Sequence, residues 1–203
     1  MLLVQTTHLP QKNGGSVWFD LANTNEVDGF GRNQPITMAL QCGYLFEATR
    51  MVLPGDAPTN NFDFMATLPH CPRKAFQDEI ERNTGLRAHA EQLNTNVLLL
   101  RVRDRGAPGL KPAVGDRGFR LTWGDGIYRA TNSPISDLRA FLETSLLKRP
   151  VIDDTKLTNL YNIDIKWEFH QEKALDQVLL DQLGLVLVQT NMPIEMLVVE
   201  KVK

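Results

Sequence analysis

The sequence predicts an α+β fold: two duplicated helix-strand-strand-helix-strand-strand units with antiparallel sheets, packed together. Three observations lead there. Sliding the 203-residue chain on itself by 99 positions aligns Asn33–Val102 with Asn132–Lys201 without a gap. Pro35/Pro134, Arg50/Arg149, Thr59-Asn60/Thr158-Asn159, Lys74-Ala75/Lys173-Ala174 and Gly85-Leu86/Gly184-Leu185 are identical in that register, and an internal repeat outranks local signals when a fold is read. Within each copy, stretches of helical spacing alternate with stretches of period two. The composition, 42% hydrophobic and 23% charged, is that of a globular chain, and one this long buries roughly 70% of its unfolded surface without staples.

The second copy is the clearer. Ser133-Pro134 reads as an N-cap followed by proline at the first helical position, where its missing N–H costs nothing. Ile135, Leu138, Phe141, Leu142 and Leu146 recur at helical spacing. Lys148-Arg149 suits the negative end of the helix dipole, and Pro150 stops the helix. Val151-Ile152 predicts a very short strand. Ile163, Ile165 and Trp167 alternate with Asp164 and Lys166, the pattern of a half-buried strand. Glu172 to Leu183 predicts a second amphipathic helix, ended by Gly184 in a left-handed C′ position. Leu185–Val188 and Met196–Val199 then predict two strands around a turn at Asn191-Met192-Pro193.

The first copy repeats the order: a helix from Pro35, a strand from Phe62 to Leu68, a helix from Pro72 to Thr84, a glycine stop and a strand from Asn96 to Val102. Val17, Phe19 and Leu21, and likewise Phe119, Leu121 and Trp123, predict one further strand ahead of each copy. Glycines and prolines crowd 103–116, which reads as a linker. The expected division is therefore 1–102, the 103–116 linker, and 117–203.

Charge and hydropathy narrow the function. Twenty-two basic residues against 24 acidic ones leave a net charge of −2, with no polybasic tail for nucleic acid or anionic lipid. No apolar run approaches the length of a bilayer span. The N-terminus lacks the basic and apolar regions of a signal peptide. Two cysteines, Cys42 and Cys71, fit a reducing or an oxidising compartment equally.

The chemistry-bearing residues do not assemble into a recognisable machine. No serine lies in a nucleophile elbow, and Ser133 is explained as a cap. Cys71 adjoins His70, but sequence neighbours rarely face each other. His8, His70, His89 and His170 are scattered and lack zinc-ligand spacing. Gly29-Phe30-Gly31 superficially suggests a phosphate cradle yet reads as a plain turn, and Gly124-Asp125-Gly126 reads as a hairpin turn. Asp153 and Asp154 are neighbours on an extended stretch, so their carboxylates diverge rather than form an acid–base pair. Trp123, Tyr161 and Trp167 could line a groove or fill a core. Cys42 and Cys71 are candidates for a disulfide in an oxidising compartment, subject to geometry. No catalytic, cofactor or metal residue is assigned.

The C-terminal stretch carries a resemblance. Arg149-Pro150-Val151, Asp153-Asp154-Thr155, Tyr161-Asn162, Leu183-Gly184-Leu185 and the closing valine-rich strand resemble the Solibacter-type paralogous family, exported domains of unknown function abundant in Acidobacteria and Verrucomicrobia. Lys156 and Asn159 stand where that family usually has glycine, and Asn162 where it has aspartate. Members are typically exported and attached to other modules, such as a redoxin domain or a membrane metallopeptidase of the antibiotic-sensor type. The resemblance implies an extracytoplasmic location, with a leader outside the stretch given, and an accessory role. A more distant architectural likeness is to the short N-terminal domain of secretins and TonB-dependent transducers. The expectation is a non-enzymatic interaction or sensing module with a protein partner in the cell envelope, no cofactor, no nucleic acid and no membrane insertion. The alternative is a small-molecule binder using a cleft between the repeats.

Overall fold

Two stretches of chain each gather helices onto a sheet, and the strands that close them are shared out along the sequence. In the computed structural model, residues 2–5, 15–20, 25–66, 71–103, 109–114, 118–124, 126–167 and 172–202 are described. The elements run β1 (Leu2–Gln5), β2 (Ser16–Asp20), β3 (Asp28–Pro35), α1 (Ile36–Tyr44), β4 (Met51–Val52), β5 (Asn61–Ala66), α2 (Arg73–Thr84) and β6 (Leu86–Val102). They continue with β7 (Leu110–Pro112), β8 (Arg120–Gly124), β9 (Ile127–Pro134), α3 (Ile135–Phe141), β10 (Val151–Asp153), β11 (Leu160–Lys166), α4 (Glu172–Val178) and β12 (Leu185–Lys201). The fold is α+β. The chain divides into unit 1, Met1–Leu93 with Pro193–Lys203, and unit 2, Asn94–Met192.

In unit 1 the antiparallel sheet runs β1-β5-β3-β2. Its inner face packs Phe62 and Phe64 against Leu40 of α1 and Phe76 and Ile80 of α2, all at most 2% exposed. Helix α2 ends at Gly85, whose φ of 67° is the left-handed conformation that glycine enters without Cβ strain. Leu86, at the start of β6, and Leu197 and Val199, near the end of β12, complete this core.

Unit 2 carries the sheet β7-β11-β9-β8. Tyr128, Ile163 and Ile165 pack against Leu138 and Leu142 after α3 begins, and against Leu179 and Leu183 beyond α4. Both helices widen into π-type turns at their C-terminal ends, Leu142–Leu147 and Leu179–Leu183. Leu98, Leu100 and Leu185 enter the same core. The remaining sheet has the order β10-β6-β12-β4, and its short outer strands run parallel to their neighbours: β10 pairs with β6 within unit 2, and β4 with β12 within unit 1.

Several expectations need correction. The turn expected at Asn191-Met192-Pro193 is absent, because β12 is one 17-residue strand, and β6 likewise runs 17 residues from Leu86. β6 and β12 are neighbours in one sheet, and strand pairing outweighs the local turn preference of asparagine and proline. Gly29-Phe30-Gly31 lies inside β3 rather than in a turn. Gly31 is there because a Cβ would lie 2.3 Å from Phe64 Cζ; the phenyl ring rests directly on the glycine. Ser133 does not cap the helix. Pro134, still extended at φ −69° and ψ 157°, is the N-cap residue of α3, and Ser133 belongs to β9, opposite Tyr161. Within 103–116, Leu110–Pro112 forms the edge strand β7 against β11.

One local device recurs in both units. Asn33 and Asn132 share a left-handed φ of 54°, and each interrupts the pairing of its strand with the next. The backbone N–H freed by the irregularity donates to a side chain across the sheet: Asn33 to Asp63 Oδ1 at 2.6 Å, Asn132 to Asn162 Oδ1 at 3.1 Å.

Candidate functional site

The residues singled out from the sequence disperse. Cys42 and Cys71 are both buried, and no disulfide joins them. Burial pushes the Cys42 thiol up to about 12, partly offset by the Arg73 guanidinium, and burial also raises Cys71. A thiol held protonated in an apolar core is a poor nucleophile at neutral pH. Arg73 itself is 9% exposed, donating through Nη1 to the Cys42 carbonyl and through Nη2 to that of Glu26 at 2.7 Å.

Ser133 is fully buried and donates through Oγ to Asp137 at 2.7 Å. Burial, with the Asp137 charge, raises the pKa of the neighbouring Tyr128 phenol. Asp153 and Asp154 diverge. Asp153 Oδ1 accepts from Thr155 N at 2.9 Å and Thr155 Oγ1 at 2.7 Å, while Asp154 faces Arg101 and Lys156, each at 2.8 Å. The aspartate-x-threonine motif is thus a turn closed on itself. His8, His70 and His170 lie outside the described residues. His89 is exposed beside Glu91 at 3.5 Å, and among the described residues no group of three His, Cys, Asp or Glu side chains could hold a metal ion.

Of the three aromatics, Tyr161 is in the core at 5% exposure. Trp123 and Trp167 converge instead on Phe141, at ring-centroid distances of 6.4 and 5.9 Å, with Tyr128 at 4.7 Å beneath it. Trp123 remains 56% exposed, so this cluster is core below and solvent-facing at the sheet edge. Nearby, Lys111, Arg129, Thr131, Asn162, Asp164 and Gln182 line a concavity of about 480 Å³ on the outer face of the sheet. Two of its charges are paired, Arg129 Nε being bound to Asp164 Oδ1 at 3.1 Å.

The feature with no explanation among the described residues is in unit 1. Trp18 of β2 is opposite Phe30 of β3, and Phe30 is opposite Met65 of β5. They form one row across three strands on the face away from the core, and are 53%, 38% and 49% exposed. At the matching positions of unit 2, Thr122 is opposite Arg129 and Arg129 opposite Asp164. The same sheet architecture therefore stands with a polar row, and the apolar one answers no need of packing. Sequence reasoning passed over Trp18, Phe30 and Met65, although a signal was present: period-two alternation through Val17 and Phe19 sends Trp18 to the opposite face.

The chain belongs to a family described as protein of unknown function (DUF3738), whose family model matches residues 37–202. No curated protein and no solved structure matches it. No helix among the described residues is long and apolar enough to cross a membrane.

Proposed function

We propose that the chain is a non-enzymatic extracytoplasmic interaction or sensing module, accessory to another domain or to an envelope protein, and that it engages its partner through the outer face of the unit 1 sheet. The observation that carries this is the exposed Trp18–Phe30–Met65 row, set against the ion-paired row at the same place in unit 2. Contiguous apolar patches rimmed by polar residues mark interaction sites or ligand grooves, and aromatic and methionine side chains are among those enriched at interface centres. The extracytoplasmic setting rests on the resemblance to the Solibacter-type exported family. The likeness to secretin and TonB short N-terminal domains points the same way.

In this reading 1–102 and 117–203 are repeats of one sequence segment on either side of 103–116, although the compact units the chain folds into are Met1–Leu93 with Pro193–Lys203 and Asn94–Met192. The shared left-handed Asn33 and Asn132 and their matching cross-strand hydrogen bonds support that equivalence, which also supplies the test. The triple substitution W18T/F30R/M65D transplants the unit 2 row into unit 1. Cross-linking capture from the envelope fraction of the source organism, with the full chain as bait, should recover a specific protein that the transplant no longer binds. Recovery of bait alone, or equal recovery by the transplant, refutes the reading.

A further inference from the structure

We infer that two copies of this chain associate by antiparallel pairing of β2 with β2 of the second copy, about a two-fold axis through Trp18. The inference concerns the edge of the unit 1 sheet rather than a heterologous partner on its face, so it and the interaction reading above can fail separately.

β2 is the end strand of its sheet, and among the described residues it pairs with β3 alone. An edge strand presents a row of main-chain N–H and C=O groups ready for another strand. Natural proteins blunt such edges with charges, lysine above all, and with proline or bulges. Ser16-Val17-Trp18-Phe19-Asp20 holds no lysine and no proline, its one charge is Asp20 at the strand end, and its pairing with β3 is unbroken.

The side chains decide the partner and its direction. Full overlap of a five-residue strand with itself, run antiparallel, centres on the middle residue. Trp18 then faces Trp18 of the other copy, Val17 faces Phe19, and Ser16 faces Asp20. Val17 and Trp18, 43% and 53% exposed, would both gain apolar neighbours. On the outer face, the row of Met65, Phe30 and Trp18 would continue without interruption into the Trp18, Phe30 and Met65 of the second copy.

Charge complementarity selects the same arrangement. Asp20 is opposite Asp28, and Ser16 opposite Arg32, across the β2–β3 pair. Antiparallel association brings the acidic end of each copy beside the Ser16 and Arg32 end of the other. Parallel association in register would instead set Asp20 against Asp20, and like charges directly opposite destabilise a strand pair. The matching edge strand of unit 2, β8, centres on Thr122 with Arg129 and Asp164 behind it. Self-pairing there would extend no apolar row.

The test is sedimentation equilibrium on the full chain across a concentration series. The native chain should approach twice its 22.9 kDa mass. W18D, which sets two carboxylates opposite each other, should raise the dimer dissociation constant at least about tenfold with its far-ultraviolet spectrum unchanged. T122D, the matching change on β8, should leave the dimer intact. A chain that stays monomeric throughout overturns the inference, as does a dimer that W18D leaves unchanged or that T122D dissolves. Register is tested by mild oxidation. W18C, whose two copies would be about 5 Å apart between Cα atoms, should form a covalent dimer. S16C, about 13 Å from its own copy along the strand, should not, and preferential linking through S16C would equally overturn the arrangement.

Discussion

Gly31 and Phe64 are opposite each other on β3 and β5, and their equivalents in unit 2 are Ala130 and Ile163, also opposite. Both pairs are at the core, with Ala130, Ile163 and Phe64 at 2–3% exposure. One pair is small with large; the other is intermediate with intermediate. Gly31→Ala adds a Cβ 2.3, 2.6 and 2.7 Å from three ring carbons of Phe64, whereas carbons in contact rest about 3.5–4.0 Å apart. The ring would have to retreat by about 1 Å. It is held by Phe19, stacked at 5.4 Å, and Phe76, edge-on at 6.1 Å. Overpacking of this kind costs about 1–3 kcal/mol, offset by about 0.4–1 kcal/mol because alanine restricts the unfolded chain. Phe64→Ile alone leaves space under the ring and should cost about 1–2 kcal/mol. Together they recreate the unit 2 pair, so the double variant should lose less than the sum by about 1–2 kcal/mol. Urea unfolding in a W123F/W167F background, where Trp18 reports on unit 1, measures all four corners of the cycle. With a slope of about 1–3 kcal/mol per M, that coupling moves the midpoint by about 0.3–2 M. Additivity within about 0.5 kcal/mol, or a neutral Gly31→Ala, would refute the reasoning.

Other expectations follow from single contacts. Glu143 is fully buried, accepting from Arg139 at 2.6 Å and from the Val151 N–H at 3.1 Å; Arg139→Met should destabilise the chain by about 3–5 kcal/mol, read by urea unfolding followed by tryptophan fluorescence. Asp63→Ala removes the acceptor of the left-handed Asn33 N–H and should cost about 1.5–3 kcal/mol, measured the same way with the Trp18 reporter. Lys156 holds a φ of 60°, so Lys156→Gly should raise the unfolding midpoint, by relief of about 1 kcal/mol of strain, even though the exposed contact with Asp154 is lost. The Cys42 thiol, raised to about 12, keeps its proton in the folded chain after an unfolded one has lost it. Its contribution to stability is complete below about pH 9 and declines as pH rises toward 12, and at pH 8 neither cysteine should react with an aromatic disulfide reagent until urea is added.

The order of helices and strands was legible because each carries its own period: Ile163 and Ile165 on one side of β11, Leu175 and Leu179 on one side of the second helix of unit 2. The glycine stops at Gly85 and Gly184 were legible for the same local reason. What escaped were features decided by distant partners. A turn at Asn191-Met192-Pro193 is the correct local reading, and only the strand beside it makes the segment extended. Ser133 resembles a cap until β9 is seen to continue through Pro134. Gly29-Phe30-Gly31 resembles a turn until Phe64 is laid on top of Gly31. The candidate surface was half-visible, since alternation sends Trp18 outward, but nothing in the sequence aligns it with Phe30 and Met65. Their register depends on pairing between strands far apart in the chain.

The division of the chain has a consequence for synthesis. Unit 2 is one uninterrupted stretch, Asn94–Met192, whereas unit 1 is completed by Pro193–Lys203, and its core needs Leu197 and Val199. A nascent chain therefore presents Phe62, Phe64 and Phe76 before the strand that closes over that core has been made. At about 5–20 residues per second the wait is roughly 5–20 s. The later-made unit is the first that can close, and the earlier-made one keeps part of its core uncovered until β12 arrives.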